Sequence, residues 1–239
     1  MSISFQQPAC VLHVRAWRET SLLLECLTRD HGRAGVVARG ARSARSRVGR
    51  ALLEPFQLLG LELRHSGELA TLVSVEMIAP PRRLGGNALL SGLYLNELLV
   101  RLLPRNDPQP GLLQRYESTL VQLAEGSEVA WTLRRFERDL LATLGYGLQL
   151  EHEANSGEAV DPTVEYVYVS EEGPHRWRGH GGLRLPGSVL LDFAADRHPG
   201  VEAMPALRRL MRAEIEAQLG ERGLESWRVL DDALRATRR

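Results

Sequence analysis

The sequence predicts an α+β, multi-domain chain: a small N-terminal β-barrel followed by a mainly α-helical C-terminal domain. Three observations carry this. The first eighty residues break into five short apolar runs separated by turn residues. At "APPRRLGG", residues 79–86, two prolines and two glycines interrupt any regular element. Beyond that point the apolar spacing becomes helical. With 239 residues the chain can bury a real core in one large domain or two small ones. The expected boundaries are 1–80 for the barrel and 81–239 for the helical domain.

The strands come first. "ACVLHVRAW" is apolar with some alternation. "SLLLECLTRD" is a β-compatible run that ends at "HGR", and "AGVVARG" is short and valine-rich. "PFQLLGLELR" and "ELATLVSVEMI" flank "HSG", a tight-turn signal. Strict alternation in the last run puts Leu69, Thr71, Val73, Val75 and Met77 on one face. Five such strands in about eighty residues fit a small closed barrel.

The helices follow. In "LLSGLYLNELLVRLL", Leu95, Leu98, Leu99 and Leu102 recur at helical spacing, with Glu97 and Arg101 as an i,i+4 pair on the wet side. "PRNDPQP" ends that helix and "GLLQRYESTLVQLAEG" makes a second. "SEVAWTLRRFERDLLATLGYG" makes a third, with Ser127 as expected N-cap and Val129, Leu133, Phe136, Leu140 and Leu144 as its apolar stripe. Residues 151–186 are polar and form an irregular, partly β excursion around "VEYVYV". "PALRRLMRAEIEAQLG" directs Leu207, Leu210, Met211 and Ile215 inward. "ESWRVLDDALRA" is a last short helix.

Composition narrows the function. Net charge is zero, and all thirty basic side chains are arginine. Residues 1–83 hold twelve arginines against seven acids, a charge of +5, and residues 84–239 carry −5. A basic first third on a neutral chain points to a polyanion-binding module beside an acidic one. Cys10 and Cys26 form no C-x-x-C and read as reduced, buried thiols, so neither a metal nor another cofactor is expected. No secretory signal and no long uncharged apolar run is present, so no membrane association is expected and the cytoplasm is the expected compartment. The Walker loop, the dinucleotide fingerprint and the G-x-S-x-G elbow are all missing, which argues against an enzyme. The catalytic alternative is a metal-free hydrolase using His175 or His180 with Asp192.

The basic charge concentrates in "RGARSARSRVGR". Arg39, Arg42, Arg45, Arg47 and Arg50 fall in twelve residues, with no acid between His31 and Leu53. Arginine presents forked donors that match phosphate oxygens. Between the third and fourth strands of an OB-type barrel, such a loop borders the face that grips single strands. Arg15, Arg18 and Arg33 are expected to extend that surface. Aromatics are sparse there, Trp17 being the one stacking candidate, so binding should be salt-sensitive with little base readout. On the third helix, Arg134, Arg135 and Arg138 cluster on the polar side. They either pair internally, Arg135 with Asp139, or rim a groove for an acidic-hydrophobic peptide.

"VLHVRAWRETSLLLECLTRDHGR", "VVARGARSARS", "LLEPFQLL", "GLYLNELLVRLL" and "LRRFERDLLATLGYG" keep the order and spacing of the bacterial RecO family, and the chain resembles that family over nearly its whole length. The resemblance implies an N-terminal OB-fold and a helical C-terminal domain. It implies a DNA repair and recombination mediator that binds single- and double-stranded DNA and anneals complementary strands. Such a mediator helps load recombinase onto strands coated with single-strand-binding protein, partners RecR and works at the nucleoid. Carried over by residue, the basic stretch falls on Arg39, Arg42, Arg45 and Arg47. The helix with Arg134 and Arg135 falls where relatives receive the acidic tail of single-strand-binding protein. Two departures stand out. The four-cysteine zinc site of many relatives has no counterpart after "GYG", so that lobe is expected to be held by packing. In place of a K-S-R-like triplet the chain keeps Ser226, but Glu225 precedes it and Arg228 comes one position late. The alternative of another class is an OB-type RNA-binding factor.

Overall fold

The computed structural model describes residues 4–43, 50–220 and 223–229. These fall into two compact units, one within Met1–Ser127 and Leu224–Arg239, the other within Glu128–Gly223.

The first unit is built on five strands, β1 (Ser4–Trp17), β2 (Ser21–Thr28), β3 (Gly32–Ala38), β4 (Leu58–Ser66) and β5 (Leu69–Met77). They close in the order β1-β2-β3-β5-β4. Only the β3–β5 pair, Val36 to Ala70 and Val37 to Thr71, is parallel. This is a closed, OB-like barrel. Its length lets β1 pair twice: Ser4 to Cys10 lie against β4, and Ala9 to Trp17 against β2. The core is drawn from Ala9, Val11, Leu22, Leu24, Cys26, Val36, Leu59, Leu61 and Leu63, each no more than 4 % exposed. Each fully buried leucine contributes about 2 kcal/mol.

Two bulges reset the alternation that sequence spacing assumes. In β1 the register passes from Val11 opposite Cys26 to His13 opposite Glu25, leaving Leu12 extra. Ala9 and Val11 point into the barrel before the bulge and Val14 packs there after it. In β5, Leu72 faces Leu63 and Ser74 faces Glu62, so Val73 is the extra residue. The expected single face of Leu69, Thr71, Val73, Val75 and Met77 is therefore corrected. Ala70 and Leu72 enter the core, Val73 and Met77 are exposed, and of the odd positions only Val75 packs against the core. One inserted residue swaps every later side chain to the other face.

Helices α1 (Gly86–Leu102) and α2 (Leu112–Ala124) belong to the same unit. Leu95, Leu98 and Leu99 are fully buried. Asn96 on α1 donates to the Leu12 carbonyl at the β1 bulge (3.0 Å) and accepts from the Tyr116 hydroxyl of α2. Cys10 and Cys26 are free and buried. Desolvation, with the Glu117 charge adding and Arg82 opposing, pushes the Cys10 thiol up to about 12, and burial raises Cys26 as well. The helix at 225–229 starts against α1: both Glu97 carboxylate oxygens accept backbone N–H groups, from Glu225 (2.7 Å) and Ser226 (2.8 Å). Trp227 packs near Tyr94, ring centroids 6.5 Å apart.

The second unit holds α3 (Val129–Thr143), a small sheet of β6 (Glu165–Val169), β7 (Gly173–Arg176) and β8 (Arg184–Pro186), then α4 (Gly187–Ala194) and α5 (Met204–Leu219). Leu207, Leu210, Met211 and Ile215 of α5 are buried as expected. The N-cap of α3 is Glu128 rather than Ser127, and its side chain makes no cap bond. The apolar stripe of α3 is also corrected. Phe136 and Leu140 are buried, yet Leu133 and Leu144 are only half-buried, while Thr132, Arg134, Glu137 and Leu141 turn inward. The polar excursion is organised by Glu153, 7 % exposed, which accepts from Tyr166 (2.9 Å), Ser156 (2.9 Å) and Arg176 (2.6 Å). Burial by itself would raise the Glu153 carboxyl, but these hydrogen bonds and the Arg176 charge hold it below its ordinary value.

Candidate nucleic-acid interface

The basic segment follows directly on the end of β3. Ala41 (2 % exposed) and Leu53 (1 %) both enter the barrel core, so the chain is rooted just after Arg39 and again after Arg50. Gln57 secures the returning root through the Leu52 carbonyl (2.6 Å). The outgoing root is tied to the β1–β2 turn: Arg42 N–H donates to the Thr20 carbonyl (2.9 Å), and the Arg42 guanidinium reaches the Arg18 carbonyl (3.5 Å). Arg18 itself stands at φ 52, which turns the chain sharply between β1 and β2.

This geometry gathers four of the expected arginines at one rim. Arg15 and Arg18 come from the end of β1 and its turn, Arg39 and Arg42 from the exit of β3, and all four are exposed. Register explains the meeting. Leu22 pairs with both Ala16 and Ala38, so the end of β1 and the exit of β3 flank the start of β2. Among the described residues none of the four is in an ion pair. Unneutralised guanidinium groups with free donors leave a cationic rim, with Glu19 the one carboxylate in that turn. Trp17 is half-buried, and the Arg15 guanidinium lies over its ring, 5.7 Å from the centroid.

The remaining expected contacts separate. Arg45 and Arg47 lie outside the described residues. Arg50 opens the short 3-10 turn Arg50–Leu52. Arg33 stands away from the rim and is corrected to a packing residue. Its side chain donates to the Leu103 carbonyl (2.8 Å) and to Glu25 (2.8 Å), a carboxylate that Arg105 also pairs. That cluster straps the segment after α1 across the outside of β2 and β3, where Asn106 N–H meets the Arg33 carbonyl (2.8 Å). Gly32 is required there: at φ 62, an added Cβ would lie 1.8 Å from the Asp107 carbonyl oxygen. Sequence alone could not show that the segment after α1, seventy residues on, covers Arg33.

In the second unit the three α3 arginines are not equivalent. Arg134 is buried and pairs with Glu137, so its expected place on the polar side is corrected. Arg135 makes a bidentate pair with Asp196 (2.7 and 2.6 Å), and Arg138 joins the same carboxylate (2.9 Å) while also pairing Asp139. Arg135 holds Asp196 below its ordinary value by hydrogen bonding, with partial burial opposing and Arg138 adding. Asp196 was invisible from sequence because it lies some sixty residues from α3. His175 pairs with Glu172, Asp192 with Arg197, and neither His175 nor His180 is hydrogen-bonded to Asp192. Among the described residues no three His, Cys, Asp or Glu side chains gather as a metal-ligand set.

A closed five-stranded barrel with an unpaired arginine rim, continued by helices, defines an OB-like protein of the α+β class. Residues 1–81 match the family model described as "Recombination protein O N terminal", and residues 83–234 match "Recombination protein O C terminal". The DNA repair protein RecO of Xanthomonas oryzae pv. oryzae is 44 % identical over 230 residues, covering 94 % of this chain and 95 % of that one. The DNA repair protein RecO of Stenotrophomonas maltophilia is 45 % identical over 225 residues, 92 % and 94 % of the two chains. The chain belongs to the RecO family. No helix among the described residues is long and apolar enough to cross a membrane.

Proposed function

We propose that this protein is a non-enzymatic DNA repair and recombination mediator. It binds single- and double-stranded DNA, anneals complementary strands and helps recombinase load onto strands coated with single-strand-binding protein. The observation that carries this is the rim of Arg15, Arg18, Arg39 and Arg42, exposed and, among the described residues, without carboxylate partners on an OB-like barrel. The names of the relatives support the repair role. Annealing of this kind needs no bond chemistry. Guanidinium groups on phosphates lower the repulsion between strands, and base pairing supplies the driving force. RecR and the acidic tail of single-strand-binding protein are the protein partners, and the nucleoid is the place of action.

For the acidic tail, Arg135 and Arg138 are the receiving groups and Arg134 is their buried support. Asp196 occupies both guanidinium groups in the free protein, so a tail carboxylate binds by displacing it. Asp196→Asn should then bind an acidic tail peptide more tightly than the parent, and Arg135→Ala less tightly, as read by fluorescence anisotropy. Equal affinities in all three would remove the tail from this site.

Annealing of complementary oligonucleotides, with and without single-strand-binding protein, tests the whole proposal. The protein should accelerate pairing in both conditions, and replacing the rim arginines with alanine should abolish the acceleration. Spontaneous pairing rates in the presence of the intact protein would overturn it.

A further inference from the structure

The second unit carries a basic surface that the barrel rim does not account for. Residues 175–184, "HRWRGHGGLR", contain three arginines, two histidines and no acid. The sheet order β7-β6-β8 puts the turn carrying Glu171 and Glu172 at one end of the sheet and the loop from Trp177 to Leu183 at the other. Register brings one acid, Glu165, to the basic end, and its carbonyl accepts the Trp177 N–H (2.9 Å). Arg176 is held on Glu153. Arg178, His180 and Arg184 are exposed, and among the described residues neither Arg178 nor Arg184 is in an ion pair.

Two features make this a shaped surface. The Arg184 guanidinium lies 4.6 Å from the centroid of the half-buried Trp177 ring, a preformed cation–π stack. The loop is folded back over the sheet by Gly182, at φ 72, where an added Cβ would come within 2.3 Å of Val167 Cγ1. A planar stack beside unneutralised arginines is the chemistry that holds an unpaired base and its phosphate together: the base stacks on the ring or guanidinium plane, and Arg178 meets the backbone. A duplex offers no free base face to such a stack.

We infer that the β7–β8 loop is a second strand-binding surface, specific for single-stranded DNA, with Trp177 and Arg184 as a base-stacking platform and Arg178 as its phosphate contact. It rests on the proposed function only in taking DNA as the polymer. A chain with strand contacts on both units holds two strands at once, which annealing requires.

The test uses the full-length protein and labelled oligothymidylate, a duplex and an abasic strand. Trp177→Ala and Arg39→Ala/Arg42→Ala are measured separately and together. In the barrel-variant background, Trp177→Ala should weaken oligothymidylate binding by roughly 5- to 100-fold, the range of one lost stacking contact. Duplex and abasic binding should not change, and Trp177→Phe should restore the loss. Ultraviolet cross-linking of a 5-iodouracil strand should label the peptide containing Trp177. Unchanged oligothymidylate binding, or equal losses on duplex and abasic strands, would overturn the inference. Failure of the barrel proposal reads differently: the Arg39/Arg42 variant alone would then bind like the parent.

Discussion

At the scale of residues, two arginines six positions apart, one in β3 and the other just past its end, do opposite work. Arg33 is locked between Glu25 and the Leu103 carbonyl, and Arg39 stands free in solvent. Arg33→Ala leaves Glu25, 8 % exposed, with one partner fewer. Its expected cost is about 2–3 kcal/mol in urea unfolding, with the salt dependence of DNA binding intact. Arg39→Ala should show the reverse, a weaker salt dependence at unchanged stability. Asp196 supplies a pH prediction. Its folded-state value is depressed, so its stabilisation is present above the ordinary aspartate range and is lost as pH falls through the folded value. The urea midpoints of the parent and Asp196→Asn should differ near neutrality and converge in strong acid. A constant difference across that range would show that Asp196 contributes no ionised pairing.

At the scale of elements, single positions decide how pieces dock. Gly32 lets the segment after α1 lie flat on β3. Gly32→Ala combines a left-handed backbone with a backbone clash and should cost at least about 2 kcal/mol, read as a fall in the unfolding midpoint. Glu97 was expected to pair with Arg101 on the wet face of α1, and the structure shows it as the cap of the helix at 225–229. Glu97→Ala should cost about 1 kcal/mol, the usual value of a helix cap, and should speed proteolytic cleavage after residue 220. This docking also bears on the K-S-R-like position: the Ser226 N–H is engaged by Glu97, and Arg228 pairs with Glu225 (2.9 Å).

At the scale of the whole molecule, zero net charge conceals a basic first third and an acidic remainder. Register brings Arg15, Arg18, Arg39 and Arg42 of the first unit to one rim, and Arg178 and Arg184 of the second stand at one end of a three-stranded sheet. Replacing Arg15, Arg18, Arg39 and Arg42 together removes about four phosphate contacts. The log–log salt slope for single strands should flatten by roughly 3, similarly across sequences, as titrations at several salt concentrations would show. An unchanged slope would place the DNA away from the rim.

The number of barrel strands, the helical second half and the inward faces of α1 and α5 were legible in the sequence. Each rests on local periodicity, and periodicity records which side chains avoid water. Arg15, Arg18, Arg39 and Arg42 were legible as well, because an unpaired cation near a turn stays exposed in almost any packing. What escaped depends on partners distant in the chain. The bulges at Leu12 and Val73 reverse a face through a register set by the neighbouring strand. Arg33 is half-buried and Arg134 buried because the carboxylates of Glu25 and Glu137 compensate their charge. Asp196 and the cap at Glu97 join positions about sixty and more than a hundred residues apart. Sequence by itself determined the class of fold and the existence of a basic surface. Tertiary structure alone decided which arginines remain free, because a guanidinium enters the interior only where folding delivers a carboxylate to meet it.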